Sequence, residues 1–474
     1  MPGPGNVGER VRNLRLTRRL SQAQLAGHDL SDSYISLIES GKRTPTPTVL
    51  RMLAERLGCT PEYLAEGVEP EQRAHLEVRE RHAQLALLAG DAATAESGFA
   101  EVLARSDDAD LSARARWGRA RALEGLGRTE EAIALFEELR EQAERDPGRA
   151  SRLPAVIALA RCYHTVGDLG QAVALGERAL DRLRRLELGA GEEHTEVGRV
   201  LLLAYVDRSD AARAHALGRA LTRQGGDDVP LAVHYRRASV RALEEGAVGD
   251  SLYFAEQALA THAGGEPEQP RARLRLAAAR ALLRGVTPFS AERTPAAEGP
   301  GQPMDAPTPQ AAREALELLR GTSCLEGAEA TEAVIERARA LVAAGEPREA
   351  IVALEELLET GMALATPPPP LAPHPGADLA ARIRKTAQAR LVLARARIAQ
   401  DDRSAALLVL RAAAGQLDGL PQGRPAAHVY RELGELFEAA GETAGAVAAF
   451  RQALESAGLR AARPHTATFD LGRV

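Results

Sequence analysis

The 474-residue sequence predicts an all-α protein: a small bundle of five helices, then a long array of helix pairs. Three observations carry this. Aromatic residues make up only 3% of the chain, with one Trp (Trp117), while Ala, Leu, Glu and Arg abound. That balance favours helices over sandwiches or barrels. Helix caps recur at short intervals in the first 66 residues. Beyond about residue 72, a two-helix unit with a tight turn and an Ala seam returns repeatedly, which overrides the three domains that length alone would suggest. With 45% hydrophobic and 27% charged residues the chain can bury a large core.

The head begins with a helix over Gly8–Thr17. Ser21 and Gln24 form a capping box for the second helix, with Leu20 and Leu25 at the staple positions. A turn follows over Gly27–Leu30, and Ser31 caps a third helix that stops at Gly41. Thr46-Pro47 and Thr60-Pro61 are caps followed by first-turn prolines, and open helices four and five. Val11, Leu14, Leu25, Leu30, Ile35, Ile38, Leu50, Leu53, Leu57 and Leu64 recur at helical spacing and suffice for one compact core.

In the body, the clearest repeat places Tyr430, Leu433, Gly434 and Phe437 before a Gly441-Glu442 turn, and Ala446, Phe450 and Ala453 after it. A second copy reads Leu159, Ala160, Tyr163, Gly167-Asp168, Ala172 and Ala179. Small residues sit where two helices cross closely; large ones fill the space between units. No unit buries its apolar face alone, so only a stack is stable. The seam residues Ala95, Ala132 and Ala172, and then Ala406 and Ala446, give a period near 38–40 residues and about nine units.

Two Pro-rich, non-periodic stretches, 286–306 and 361–376, are expected as an exposed loop and a linker. The expected organisation is therefore a head over 1–66, repeats over 72–285, 307–360 and 377–460, and a tail over 461–474.

Charge is uneven. Residues 1–66 hold nine Lys/Arg against seven Asp/Glu, a net of +2, so the remaining chain carries −8 of the total −6. Lys42 and Lys385 are the only lysines, so Arg richness is general and says little about partners. Cys59, Cys162 and Cys324 are odd in number and far apart, as in a reducing cytoplasm. No apolar run reaches the roughly 18 residues of a membrane span. There is no secretory h-region either.

Catalytic signatures are missing: no GxxxxGK[ST], no strand-borne GxGxxG, no GxSxG. Cys162 and His164 are two apart on a helix and point away from each other, so a nucleophile pair is not expected. His164, His194, His215, His234 and His262 share no equivalent repeat position. Neither a metal site nor a cofactor is expected, and the chain is not expected to be an enzyme. Arg236-Arg237 and Arg184-Arg185 could meet a ligand carboxylate.

The head resembles the helix-turn-helix of the lambda-repressor-like, Cro/C1 or XRE type. The matching residues are Leu14-Arg15, Leu20-Ser21-Gln22, Leu25-Ala26, Leu30-Ser31, Ser33-Tyr34-Ile35-Ser36, Ile38-Glu39, Gly41, Arg43, Pro45, Leu50, Leu53-Ala54 and Leu57-Gly58. Double-stranded DNA is then the implied partner, with the third helix in the major groove. Helix geometry exposes Asp32, Ser33, Ser36 and Leu37 once Ile35 and Ile38 face inward, and the resemblance implies base contacts there. Asp32 reads equally well as a first-turn acid helping the helix dipole. By the same resemblance Ser21, Gln22, Ser40, Lys42 and Arg43 would hold phosphates. Arg15 and Glu39 match a structural ion pair, for which a solvent-exposed pair of little value is the alternative.

The repeats are similar to tetratricopeptide units, which implies a surface suited to a peptide or protein partner. Head and body together resemble bacterial regulators whose repeats bind a signalling peptide. The expected function is a cytoplasmic, sequence-specific transcriptional regulator acting as a homodimer, with no membrane partner. The alternative is a protein-binding scaffold with an auxiliary DNA-binding head.

Overall fold

Helix caps and buried apolar stripes produce the expected elements in the expected order. The computed structural model describes residues 7–66, 70–106, 108–223, 229–264, 268–291, 306–363, 375–417 and 424–459. Among these residues there is no strand. Proximity divides the chain into two compact units, Met1–Glu141 and Gln142–Val474.

The first unit opens with the head: α1 (Val7–Thr17), α2 (Gln22–Ala26), α3 (Asp32–Glu39), α4 (Pro47–Leu57) and α5 (Pro61–Glu66). The Ser21 hydroxyl accepts from the Gln24 N–H at 3.0 Å, and the Gln24 side chain accepts from the Ser21 N–H at 2.7 Å. The Ser31, Thr46 and Thr60 hydroxyls likewise accept from the N–H groups of Tyr34, Val49 and Tyr63. Each cap satisfies an N–H that has no partner within its helix. Val11, Leu25, Ile35, Ile38, Leu53, Leu57 and Leu64 are buried together in one core.

Close approach of α1 to α3 rests on Gly8, which sequence inspection passed over. A Cβ there would lie 2.0 Å from the Ile38 carbonyl oxygen. The obstacle is backbone, so the helices must part to admit a methyl group. Gly8→Ala should therefore destabilise the head by about 1–3 kcal/mol, read as a lower denaturation midpoint of its amides.

The first unit continues with α6 (Pro70–Leu88), α7 (Ala92–Arg105), α8 (Ala109–Gly125) and α9 (Thr129–Arg145), whose last four residues belong to the second unit. Gly118 of α8 receives the Phe99 ring, and Trp117 meets Phe136 edge-on at 5.3 Å between centroids.

The second unit holds α10 (Leu153–Val166), α11 (Leu169–Arg185), α12 (Glu192–Asp207), α13 (Ala211–Arg223), α14 (Leu231–Glu244), α15 (Val248–Gly264) and α16 (Glu268–Leu283). It continues with α17 (Pro309–Arg320), α18 (Gly327–Ala344), α19 (Pro347–Ala363), α20 (Pro375–Ala399), α21 (Arg403–Leu417), α22 (Arg424–Ala439) and α23 (Thr443–Ser456). The seam residues Ala95, Ala132, Ala172, Ala406 and Ala446 are all buried.

The described residues after the head thus form nine helix pairs, but the expected run of stacked repeats over 72–285 needs correction. The α14–α15 pair leaves the line, and α16 packs directly on α12. Long-range polar contacts hold the departed hairpin. The Gly249 N–H donates to the Pro147 carbonyl at 3.0 Å. Asp250 accepts from Ser151 at 2.6 Å and from Arg182 at 2.9 Å. The hydroxyls of Tyr235 and Tyr253 both donate to the buried Glu193 of α12, at 2.7 and 2.6 Å.

A second correction concerns 286–306. The first part is not an exposed loop. Val286 and Phe289 are buried, and Phe289 lies over Gly218 of α13, where a Cβ would fall 2.2 Å from its ring. The Pro288 carbonyl lies 3.1 Å from His215 Nε2. Residues 292–305 lie outside the described residues. At 361–376 the expected linker is helical at both ends, in α19 and α20. Its remainder, 364–374, and the tail 461–474 are outside the described residues.

Candidate nucleic-acid interface

A helix that reads DNA must be held rigidly and must leave one face bare. In α3, Ile35 and Ile38 are sealed in the core, while Asp32, Ser33, Ser36 and Leu37 are exposed. The structure therefore brings all four expected base-reading residues onto the outward side of one helix. Behind them Arg15 and Glu39 are buried and form a two-pronged pair, Nε to Oε1 at 2.6 Å and Nη2 to Oε2 at 3.0 Å. Arg15 also donates to the Leu20 carbonyl at 2.8 Å, so α1, the start of α2 and the end of α3 share one network. Burial pushes the Glu39 carboxyl up, and the hydrogen bonds from Arg15 and Gln22 bring it, on balance, below the usual carboxylate range. The Glu39 hydrogen bond raises the Arg15 guanidinium in turn. The solvent-exposed alternative for this pair does not hold.

The expected phosphate ligands divide into two sets. Lys42 and Arg43 are exposed just beyond α3, where their backbone N–H groups both donate to the Leu37 carbonyl. The Arg43 guanidinium lies over the Tyr34 ring, 4.7 Å from its centroid. That contact fixes a cation beside the exposed face of α3. It was missed in the sequence, where Tyr34 and Arg43 are nine residues apart and only a side-chain rotamer brings them together. Ser21 is exposed and, with its oxygen used by the cap, still has its hydroxyl hydrogen to give. Gln22 donates one amide hydrogen to Glu39 at 2.8 Å and has a second. Ser40 is exposed as well, and its hydroxyl donates to the Leu37 carbonyl at 3.1 Å.

The turn between α2 and α3 is fixed by Arg56 of α4, which donates to the carbonyls of Leu25 and Ala26 and pairs with Asp29.

In the second unit, ion pairs join the first helices of successive pairs. Glu196 of α12 binds Arg161 of α10 and its neighbour Arg199. Arg273 and Arg280 of α16 meet Glu329, Glu332 and Glu336 of α18. Lys385 of α20 reaches Glu332, and Arg339 of α18 and Arg395 of α20 converge on Glu432 of α22. Burial, reinforced by Arg280, lowers Lys385 to about 8. Sequence inspection missed this row, although Glu329, Glu332 and Glu336 show helical spacing.

Several other residues weighed in the sequence are engaged or buried within the fold. His164 Nε2 lies 2.9 Å from an Asp207 oxygen, and Cys162 is fully buried. Burial pulls His194 down to about 4. Arg184 pairs with Asp181, and Arg236 and Arg237 are exposed on α14. Among the described residues no cluster of His, Cys, Asp or Glu could hold a metal ion. No helix there is long and apolar enough to cross a membrane.

Comparison with known proteins places a helix-turn-helix family match over residues 11–64 and a tetratricopeptide-repeat match over residues 111–185. No curated protein matches the chain. Among solved structures, the chain is similar to PlcR of Bacillus thuringiensis, crystallised with the peptide PapR7 and DNA. Identity is 18%, over 54% of this chain and 96% of that one, with a TM-score of 0.26. It is also similar to the apo form of the quorum sensor NprR from B. thuringiensis. Identity there is 11%, over 95% of this chain and 99% of that one, with a TM-score of 0.42. The chain thus carries a helix-turn-helix match at 11–64 and a tetratricopeptide-repeat match at 111–185, within an N-terminal five-helix head and a body of helix pairs.

Proposed function

We propose that the protein is a sequence-specific DNA-binding transcriptional regulator of the cytoplasm, working as a homodimer, whose repeats respond to a peptide or protein partner. The head over 1–66 supplies DNA binding; the repeats over 72–285, 307–360 and 377–460 supply the response. One observation carries the reading. The bare face of α3 presents Ser33, Ser36 and Leu37 on a helix clamped by a buried ion pair, with Lys42 and Arg43 beside it. Small hydroxyls donate to or accept from base edges, Leu37 suits a thymine methyl group, and Asp32 accepts from a cytosine amine. Ser21, Gln22, Lys42 and Arg43 set the register on the phosphates. Two such heads on a two-fold axis would read half-sites with centres about 10 base pairs apart. For the partner, the ionic row along α12, α16, α18, α20 and α22 offers charges of both signs.

The test begins by incubating the protein with sheared genomic DNA and sequencing what it retains. On a retained fragment, Ser33→Ala with Ser36→Ala should weaken binding by about 1–3 kcal/mol and relax preference at the contacted bases. Arg43→Ala should weaken all sequences alike and lower the salt slope by about one. Unchanged preference in the serine variant would remove α3 as the reading helix. Flat retention of all fragments would favour the scaffold reading instead.

A further inference from the structure

The α14–α15 hairpin stands apart from the stack, and its two faces differ sharply. One face carries Tyr235, Ala238, Ala242 and Phe254, all buried in the main core of the second unit. The opposite face of α14 carries Arg236, Arg237, Val240 and Leu243; that of α15 carries Val248, Leu252, Glu256 and Leu259. Apart from the adjacent Arg236 and Arg237, which flank the stripe, successive members are three or four apart and so lie on one side of each helix. Five of the eight are large and apolar, and Leu243, Leu252 and Leu259 are 57%, 52% and 72% exposed. Within a stack a repeat is covered by neighbours on both sides. This hairpin has been turned out of line, so among the described residues no following repeat covers its second side.

We propose that this outer face is where two copies of the chain meet. The inference deepens the dimeric reading above and rests on it for the existence of a dimer, not on DNA binding. Charge selects the occupant. Arg236 precedes the end of α14 by as many residues as Glu256 follows the start of α15, and Arg237 is one residue nearer the turn, so the antiparallel hairpin holds them near one height, on adjacent helices. A two-fold axis parallel to the helices lays α14 of one copy over α15 of the other. The two arginines then face Glu256 of the second copy, twice over, with the valines and leucines between. A face that brings its own counter-charge into register under two-fold rotation is self-complementary. Size agrees with a modest affinity. The 17 residues of α15 span about 25 Å. With two helices side by side, about 500 Å² per copy and about 1,000 Å² in total is covered, at the low end for specific contacts. A dissociation constant of micromolar order is expected.

Sedimentation equilibrium on the full chain, without DNA, tests this. The wild type should show a reversible dimer. Leu243→Glu with Leu252→Glu should weaken it by at least about 30-fold, with an unchanged melting curve at concentrations where both proteins are monomeric, because both side chains are exposed in one copy. Arg236→Glu with Arg237→Glu should weaken it about 10-fold, and adding Glu256→Arg should restore most of that loss. A dimer untouched by the leucine pair would overturn this surface while leaving a dimeric regulator standing. A charge pair without rescue would overturn the two-fold register that selects a second copy. A wild type monomeric at about 100 µM would overturn both surface and dimer. Retention of specific DNA fragments, measured separately, reports on the regulator reading alone.

Discussion

Glu39→Ala is expected to unfold the head under conditions where the repeats stay folded. The substitution leaves the Arg15 guanidinium buried without its carboxylate, and removal of one partner from such a pair costs about 3–5 kcal/mol. A core of some 60 residues has little more than that to lose. Loss of the slowest-exchanging amides in α1 and α3, with those of α10–α13 unchanged, is the readout. DNA binding should vanish with them. Retained protection in α3 would mean that the pair is dispensable. The same pair predicts the head's acid response. Glu39 ionises below its ordinary value in the folded state. Its contribution is therefore fully present above the unfolded carboxylate value and is lost as pH falls through the folded one. The head should melt earlier on acidification than above pH about 5, and Glu39→Gln should flatten that dependence.

The second large effect is expected at the hairpin. Tyr235→Phe with Tyr253→Phe removes both hydroxyls that donate to Glu193. Where Glu193 is ionised, hydrogen bonds to the charged group are worth about 1.5–3 kcal/mol each, so roughly 3–6 kcal/mol of docking energy should go. Amides of 231–264 should exchange much faster, while α18–α23 should not change. Equal protection in the double variant would show that apolar contact through Phe254 suffices. Here the pH dependence has the opposite sign to the head's. Burial pushes the Glu193 carboxyl above its ordinary range, against the lowering effect of the two tyrosines. Docking is thus strongest below the unfolded carboxylate value and weakens as pH rises through the raised one.

These two sites also mark what could be read in the sequence. Caps such as Ser21 with Gln24, and Thr46 before Pro47, are local and were legible because three or four residues contain the whole interaction. The buried stripe of Ile35 and Ile38 was legible for the same reason, and it fixed which side of α3 is bare. Arg15 and Glu39 are 24 residues apart, and only the family resemblance joined them. The departure of α14–α15 was illegible because its own pattern is ordinary. A Gly246 turn joins its two helices, much as Gly167 and Gly441 turns join other pairs. What moves the pair is a distant acid, Glu193, and a distant carbonyl, at Pro147. Phe289 was misread because it follows Pro288 in a non-periodic stretch; the slot over Gly218 that receives it belongs to another helix. The Arg43 contact with Tyr34, and the hydroxyl direction of Ser40, depend on rotamers that no spacing encodes.

The direct packing of α16 on α12 has a kinetic consequence. A regular repeat array folds from any nucleus, because each contact lies between chain neighbours and propagation never waits for a distant segment. Here the path from Asp207 to Glu268 must first be closed as an excursion, at an entropic cost that grows with the logarithm of its length. The carboxyl-terminal pairs α18–α23 and the earlier helices α10–α13 should consequently nucleate separately. Their joining, dominated by contacts of high sequence separation, sets the slowest step in reaching the native state.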